Sequence, residues 1–492
     1  MTAGSTTPGQ TEAIGRHAVH GILWTYLSFA GSKVLIFAAT VVLARLLIPS
    51  EFGQVGFALL VMGYIDTVGD FGISSALIYE KNRPEEAANV AFIVSVIAGF
   101  FWFAAAYAAA PLVAEFFKDP MVVPIMRTMA FSFVINALGN THDAILRRDL
   151  AFKKRLLPDF SMALVKGLIS VALALAGWGV WSLVWGQLIG ATAAMIALWW
   201  VVPWRPGLKS SWDAARKMLS YGGHIVSVNV VSAIVHDADF LIVGRMLGSA
   251  ALGLYSLAYR TPELLITTVI WVIGKVTFPV YSKLRDDPAA LANAFLVTLR
   301  YLSLVTLPAG FGLAFLGGHF VKAFYGDAWT GAILAMQLLA VSGALRSLGS
   351  HAGDVYKATG RPAVLTKLGL LRAAVLIPAM IWGARYGIAG VAFAQMAVTG
   401  ASTILNLVVA ARILGLPSLV LIGEFKTAGL GTAIMIAALA LVQPVLTGLP
   451  DYAALMLETS LGAVAYLGTI LWIDRPAIRQ VRAALASAES PA

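Results

Sequence analysis

Ala44-Arg45-Leu46-Leu47-Ile48-Pro49-Ser50-Glu51-Phe52-Gly53 returns about two hundred positions later as Gly244-Arg245-Met246-Leu247-Gly248-Ser249-Ala250-Ala251-Leu252-Gly253. Each copy closes one long apolar run and opens the next. A second echo, Gly179-Val180 through Trp185-Gly186-Gln187 against Gly387-Ile388 through Phe393-Ala394-Gln395, keeps nearly the same offset. A chain built twice from one design, and apolar throughout, fits the two related membrane lobes common among secondary transporters.

Composition agrees. Of 492 residues, 59% are hydrophobic and 12% charged, and the mean hydropathy is +0.82. Soluble domains carry roughly 25% charged residues. Apolar runs of about 18 residues or more, each long enough to cross a hydrocarbon core about 30 Å thick, recur along the chain. With no cysteine, disulfides, a thiol nucleophile and cysteine metal sites are excluded. The apolar stretch from about Gly21 to Ala44 exceeds a signal-peptide core of about 7 to 15 residues and is read as a span.

Apolar runs between charged, Gly or Pro breaks predict about fourteen helices, starting near residues 21, 52, 89, 121, 158, 180, 221, 252, 293, 329, 364, 387, 425 and 452. The expected class is all-α integral membrane, with two related six-helix lobes plus two C-terminal helices. Boundaries follow: a cytoplasmic N-terminal segment 1–20, an N-lobe 21–204, a cytoplasmic linker 205–220, a C-lobe 221–412, helices 13 and 14 over 425–473, and a cytoplasmic tail 474–492. The net charge of +10 sits in alternate loops. The set with the N-terminus holds about twenty-two Lys and Arg, densest at Arg147, Arg148, Lys153, Lys154 and Arg155, against about five opposite. The positive-inside rule then places both termini in the cytoplasm and explains the charge by topology rather than by nucleic-acid binding.

The run Asp239-Phe240-Leu241-Ile242-Val243-Gly244-Arg245-Met246-Leu247-Gly248, with Ala251-Leu252-Gly253-Leu254-Tyr255-Ser256-Leu257-Ala258-Tyr259-Arg260, resembles the signature of bacterial polysaccharide transporters. Leu43-Ala44-Arg45-Leu46-Leu47, Glu51-Phe52-Gly53 and Asp70-Phe71-Gly72 resemble the opening helix pair of the same Wzx-type flippases, within the superfamily of multidrug, oligosaccharide-lipid and polysaccharide exporters (MOP). The resemblance spans most of the chain. It implies a V-shaped pair of six-helix lobes in the bacterial inner membrane that moves an undecaprenyl-diphosphate-linked oligosaccharide to the outer leaflet for surface polysaccharide (O-antigen, capsule or exopolysaccharide) assembly. The implied partners are that substrate, membrane lipids and a polysaccharide polymerase or assembly complex. No cofactor is implied, and the motifs mark helix packing rather than a catalytic centre. Arg45 and Arg245 read as snorkelling anchors.

A charge at a span centre costs at least about 2.5 to 3.5 kcal/mol, so it should face a partner or a wet cavity. Basic residues predicted from the midplane inward are Lys33, Lys166, Arg300, Arg346 and Arg372. Such a surplus suits a diphosphate, which Arg grips with a two-pronged fork and Lys as a point charge. Arg346 and Arg372 are the foremost candidates. Asp66 and Asp70, one turn apart, form a candidate ion-coupling pair. Asp239 and Arg260, equally far from the turn between their helices, form a candidate structural ion pair. His142-Asp143 and His351 with Asp354 are expected to line a cytoplasmic mouth. No metal site has adequate spacing. The tryptophans around helix 6 read as interface belts, and helices 13 and 14 as almost free of charge.

Two rivals remain. A cation-coupled multidrug exporter of the same superfamily would favour acids and aromatics over a basic interior. A membrane polymerase or glycosyltransferase would need a sizeable loop bearing catalytic residues, and here the outer loops reach about a dozen residues at most. The chain is therefore read as a transporter and not an enzyme.

Overall fold

The computed structural model describes residues 31–69, 77, 84–207, 237–446 and 448–473. The segment 1–20, most of the 205–220 linker, the tail from 474, and Asp70 lie outside the described residues. Among the described residues every regular element is helical. They are α1 (31–46), α2 (Pro49–Gly69), α3 (Pro84–Phe117), α4 (Val122–Met129), α5 (Phe131–Arg148), α6 (Phe152–Leu175), α7 (Val180–Val201), α8 (Ala238–Pro262), α9 (Thr268–Lys283) and α10 (Pro288–Phe320). After these come α11 (Ile333–Ser350), α12 (Ala352–Ala358), α13 (Pro362–Gly383), α14 (Gly387–Ile413), α15 (Ser418–Val442) and α16 (Asp451–Ile473).

Ten helices among the described residues are long and apolar enough to cross a membrane. Two of these stretches, of 46 and 52 residues, far exceed the roughly 20 that one crossing needs. Each contains a break. Gly248, at φ 87° and ψ −176°, interrupts α8, and Gly387, at φ 73°, separates α13 from α14 after a 3₁₀ turn. Both conformations are open essentially only to glycine. The equivalent break in the first repeat is made differently, with Pro49 as the first residue of α2, a position where its missing N–H costs nothing. There Glu51 Oε2 accepts the Ile48 backbone N–H at 3.0 Å, the reach-back half of a capping box.

The chain forms two compact units, Met1–Gly253 and Leu254–Ala492. In the first, small residues let backbones approach, as membrane helix interfaces require. Gly186 and Gly190 of α7 sit against Lys166 and Ser170 of α6, where a Cβ on Gly190 would come 2.7 Å from Lys166 Cβ. Gly99 of α3 lies on α5, its Cβ position 2.6 Å from Ala137 Cβ and 2.9 Å from the Phe133 carbonyl oxygen.

The second unit solves the same problem in the same way. Gly310 of α10 lies on α11, its Cβ position 2.6 Å from Ala344 Cβ and 2.8 Å from the Ala340 carbonyl oxygen. α15 and α16 pack together and against α10, and the Tyr466 hydroxyl donates to the Leu304 carbonyl at 2.6 Å. Two π-helical turns occur here, Glu263–Thr267 directly after Pro262 and Val321–Tyr325 at the end of α10. Such turns are uncommon and often accompany functional sites.

The two histidine clusters do not line a mouth. His142 is fully buried, packed between the rings of Trp199 and Trp204 at 4.6 and 5.3 Å. His351 is 1% exposed. Its Nδ1 lies 3.2 Å from both Asp354 Oδ2 and Thr277 Oγ1, while Thr277 donates to Asp354 at 3.0 Å. These bonds fasten α9 to α12 and the end of α11, and among the described residues His351 Nε2 takes no part in them. Asp143, expected with His142, instead pairs with Arg147 and Arg155. The tryptophans follow expectation in part: Trp178 and Trp200 are exposed, but Trp199 donates to the Leu138 carbonyl at 2.8 Å.

Candidate functional site

Arg346 stands on α11 one turn after Gly343, on the same helix face. A Cβ on Gly343 would come 2.9 Å from Ile266 Cδ1, so this glycine lets the π-helical turn approach α11. The approach puts Thr267 and Tyr259 within reach of the guanidinium. Arg346 Nη2 donates to Thr267 Oγ1 at 2.9 Å and Nη1 to the Tyr259 hydroxyl at 3.3 Å. Asp354 makes other bonds, to His351, Thr277 and Lys357.

The guanidinium borders a narrow cleft lined also by Tyr259, Glu263, Ser342 and Gln395. Gln395, on α14, is 8% exposed, and among the described residues its Oε1 accepts no hydrogen bond. A buried acceptor left unpaired costs roughly 1 to 3 kcal/mol, which a donor entering the cleft would recover. One turn further along α14, Thr399 Oγ1 lies 3.5 Å from Arg372 Nη2 of α13. A turn beyond that, Thr403 donates to the Leu345 carbonyl at 3.0 Å. Gln395, Thr399 and Thr403 thus make one buried polar stripe, and the two foremost sequence candidates stand beside it.

The other candidates are scattered. Lys166 Nζ donates to Gln187 Oε1 at 2.6 Å, between α6 and α7. Lys33 on α1 and Asp66 on α2 are exposed, and Arg300 on α10 is half-buried. Asp239 is buried in the first unit, its Oδ1 accepting the Phe240 N–H at 3.0 Å, whereas Arg260 belongs to the second unit. Arg45 and Arg245 are exposed, and Arg245 stands 5.3 Å from the Phe116 ring centroid. Among the described residues no group of three or more His, Asp or Glu could hold a metal ion.

Sequence reading passed over the polar lining of the Arg346 cleft. Gln395 and Thr399 look like ordinary polar residues in an apolar span, and only the α14 periodicity of four could have joined them. It also passed over Glu458, the one carboxylate of α16 beyond its first residue, whose position in an apolar helix was itself a signal.

The family model described as polysaccharide biosynthesis protein matches residues 42–334, more than half of the chain. The chain belongs to this polysaccharide biosynthesis protein family. Two relatives are similar along most of their length. The lipopolysaccharide biosynthesis protein WzxC of Escherichia coli K12 is 25% identical over 392 residues, covering 79% of this chain and 80% of WzxC. The succinoglycan biosynthesis transport protein ExoT of Rhizobium meliloti is 26% identical over 473 residues, 93% of each. Among solved structures, the lipid II flippase MurJ in an inward closed conformation superposes with a TM-score of 0.76 at 16% identity, over 93% of this chain and all of MurJ. An inward-facing multidrug resistance transporter of the MOP superfamily reaches 0.64 at 15% identity, over 80% of this chain and 98% of its own. This chain shares its multi-pass helical membrane fold with these solved structures.

Proposed function

We propose that the protein is a flippase that carries an undecaprenyl-diphosphate-linked oligosaccharide from the cytoplasmic to the outer leaflet of the bacterial inner membrane, for surface polysaccharide assembly. Family membership carries this reading, since the match covers residues 42–334 of a chain with ten apolar spans among its described residues. Transport, not catalysis, is the activity. The fourteen-helix, two-lobe arrangement, with lobes over 21–204 and 221–412 and both termini cytoplasmic, belongs to the same reading, as does delivery to a polymerase or assembly complex. The parallel seats of Gly99 and Gly310 support the duplication behind it.

In the second unit, Arg346 and Arg372 are the groups for the substrate's diphosphate, with Arg300 a weaker member; Lys33 and Lys166, weaker candidates also, stand in the first unit. Glu263 and Gln395 offer acceptors that complement sugar hydroxyls. Asp66 with Asp70 remains the candidate for ion coupling, and Asp239 with Arg260 the candidate structural pair.

Deleting the gene and identifying the lipid-linked glycan held in the inner leaflet tests the function. Accumulation of a flippable undecaprenyl-diphosphate oligosaccharide is expected. Normal surface polysaccharide together with altered resistance to small cationic compounds would instead show the drug exporter.

A further inference from the structure

Glu458 lies two turns into α16 and is 1% exposed. A lone carboxylate at such a position is expensive and calls for a partner. Its partner is His319, in the last turn of α10, with Nδ1 2.8 Å from Glu458 Oε2. The other carboxylate oxygen, Oε1, has no hydrogen-bond partner among the described residues. On the far side of the ring, His319 Nε2 stands 4.0 Å from Asp451 Oδ1, at the first residue of α16. A cavity of about 590 Å³ lined by His319, Gln443, Gly448 and Asp451 opens there, so the ring has a buried side and a wet side.

The ring's proton count decides what this can do. With one proton, the Glu458 bond requires it on Nδ1, because a carboxylate only accepts. Nε2 then presents a lone pair to the Asp451 carboxylate, and neither can donate. A second proton, taken from water in the cavity, goes onto Nε2. It turns that face from repulsion to attraction and sets an imidazolium between two carboxylates.

A metal ion fits less well, since only Nε2 and Asp451 face the cavity and protein zinc sites use at least about three ligands. Other charges near the ring are few. The π-helical turn after α10 adds Lys322, exposed one turn beyond His319. The 3₁₀ turn 443–446 brings no ionisable group, and Glu424 and Lys426 of α15 lie toward that helix's opposite end.

We propose that His319, gripped by Glu458 and facing Asp451, is a proton-binding site open to the aqueous compartment at this end of the second unit. Loading it tightens the hold of α10 on α16. The site stands on geometry within one unit and rests on the transporter reading only for the use of the bound proton as a coupling ion.

The test uses the full-length protein in lipid nanodiscs, with ¹⁵N-labelled histidine followed by NMR through an acid titration. The His319 signal is the one of seven histidines lost in His319→Gln. On acidification the wild-type ring should pass from the Nδ1–H form to the doubly protonated form. The pH at which it does so should move in Asp451→Asn and in Glu458→Gln, each of which takes a carboxylate away from one side of the ring. A purely structural clamp would leave the Asp451→Asn titration unchanged, and that result overturns the proposal. So does a ring that keeps one proton throughout, or one that added zinc perturbs at neutral pH with ligation at Nε2. Asp451 is 39% exposed, so its variant still decides the question if Glu458→Gln fails to fold. None of these readings depends on identifying the transported glycan.

Discussion

Gly53 and Gly253, equivalent positions of the repeated motif, lie against each other's turns within the first unit. A Cβ on Gly53 would fall 1.8 Å from the Ser249 carbonyl oxygen, and one on Gly253 would fall 1.8 Å from the Pro49 carbonyl oxygen and 3.2 Å from Gly53 N. The repeat first seen as a pattern of letters is therefore also a contact, in which each copy supplies the bare backbone that the other requires.

Gly53→Ala should destabilise the purified protein by about 1 to 3 kcal/mol, the usual cost of overpacking. Backbone atoms stand in the way there, and they cannot step aside as a side chain can. Gly63, on the same helix, has open space at its Cβ position, so Gly63→Ala should be neutral or stabilising by up to about 1 kcal/mol through helix propensity. Thermal unfolding of the two variants in detergent checks the contrast, and equal losses would refute the close approach.

Arg346→Ala should reduce transport more than about tenfold while leaving membrane expression intact, and Arg346→Lys should restore only part because the planar fork is lost. Thr267→Val and Tyr259→Phe, which remove a guanidinium partner each, should weaken transport less than Arg346→Ala. The readout is the amount of lipid-linked oligosaccharide retained in the inner leaflet. Wild-type transport by Arg346→Ala would remove the site's chief residue.

Topology can be read chemically because the chain has no cysteine. A single cysteine placed at Lys153 or Lys154 should resist a membrane-impermeant thiol reagent in intact cells and react after permeabilisation, since these residues belong to the densest basic cluster. Labelling of intact cells would invert the assignment.

The bond between Lys166 and Gln187 should show a coupling of about 0.6 to 1.7 kcal/mol in a double-mutant cycle, the range of polar contacts between membrane helices. The larger values of about 1.5 to 3 kcal/mol known for charged hydrogen bonds in soluble proteins should not be reached. Unfolding equilibria of Lys166→Met, Gln187→Leu and the double variant supply the measurement.

The spans were legible because each needs a run of about twenty apolar residues, which lipid enforces without reference to neighbours. The breaks within the repeated motifs were legible because glycine and proline mark backbone shapes other residues cannot adopt, as at Pro49, Gly248 and Gly387. Arg346 and Arg372 stood out for the cost of a charge in an apolar helix, and both prove to flank α14. What they touch was hidden. Tyr259, Thr267 and Gln395 come from three other elements, and their convergence depends on helix packing. His319 and Glu458, 139 residues apart, were hidden for the same reason. His142 and His351 show the reverse error, in which a polar residue near a helix end was read as solvent-facing although rings or hydrogen bonds enclose it.

The π-helical turn Glu263–Thr267 carries a tolerance for chain length. In a regular helix, at about 100° per residue, Tyr259 and Thr267 would point roughly 80° apart. The wide turn takes up one residue, so they behave as though seven apart, within about 20° of a shared direction, and both meet Arg346. Leu265, exposed in that turn, is then a spare link. Its removal should let the segment close into an ordinary α-helix while Thr267 and Thr277 keep their bearings, whereas a deletion elsewhere in the same stretch would swing every later residue by about 100°.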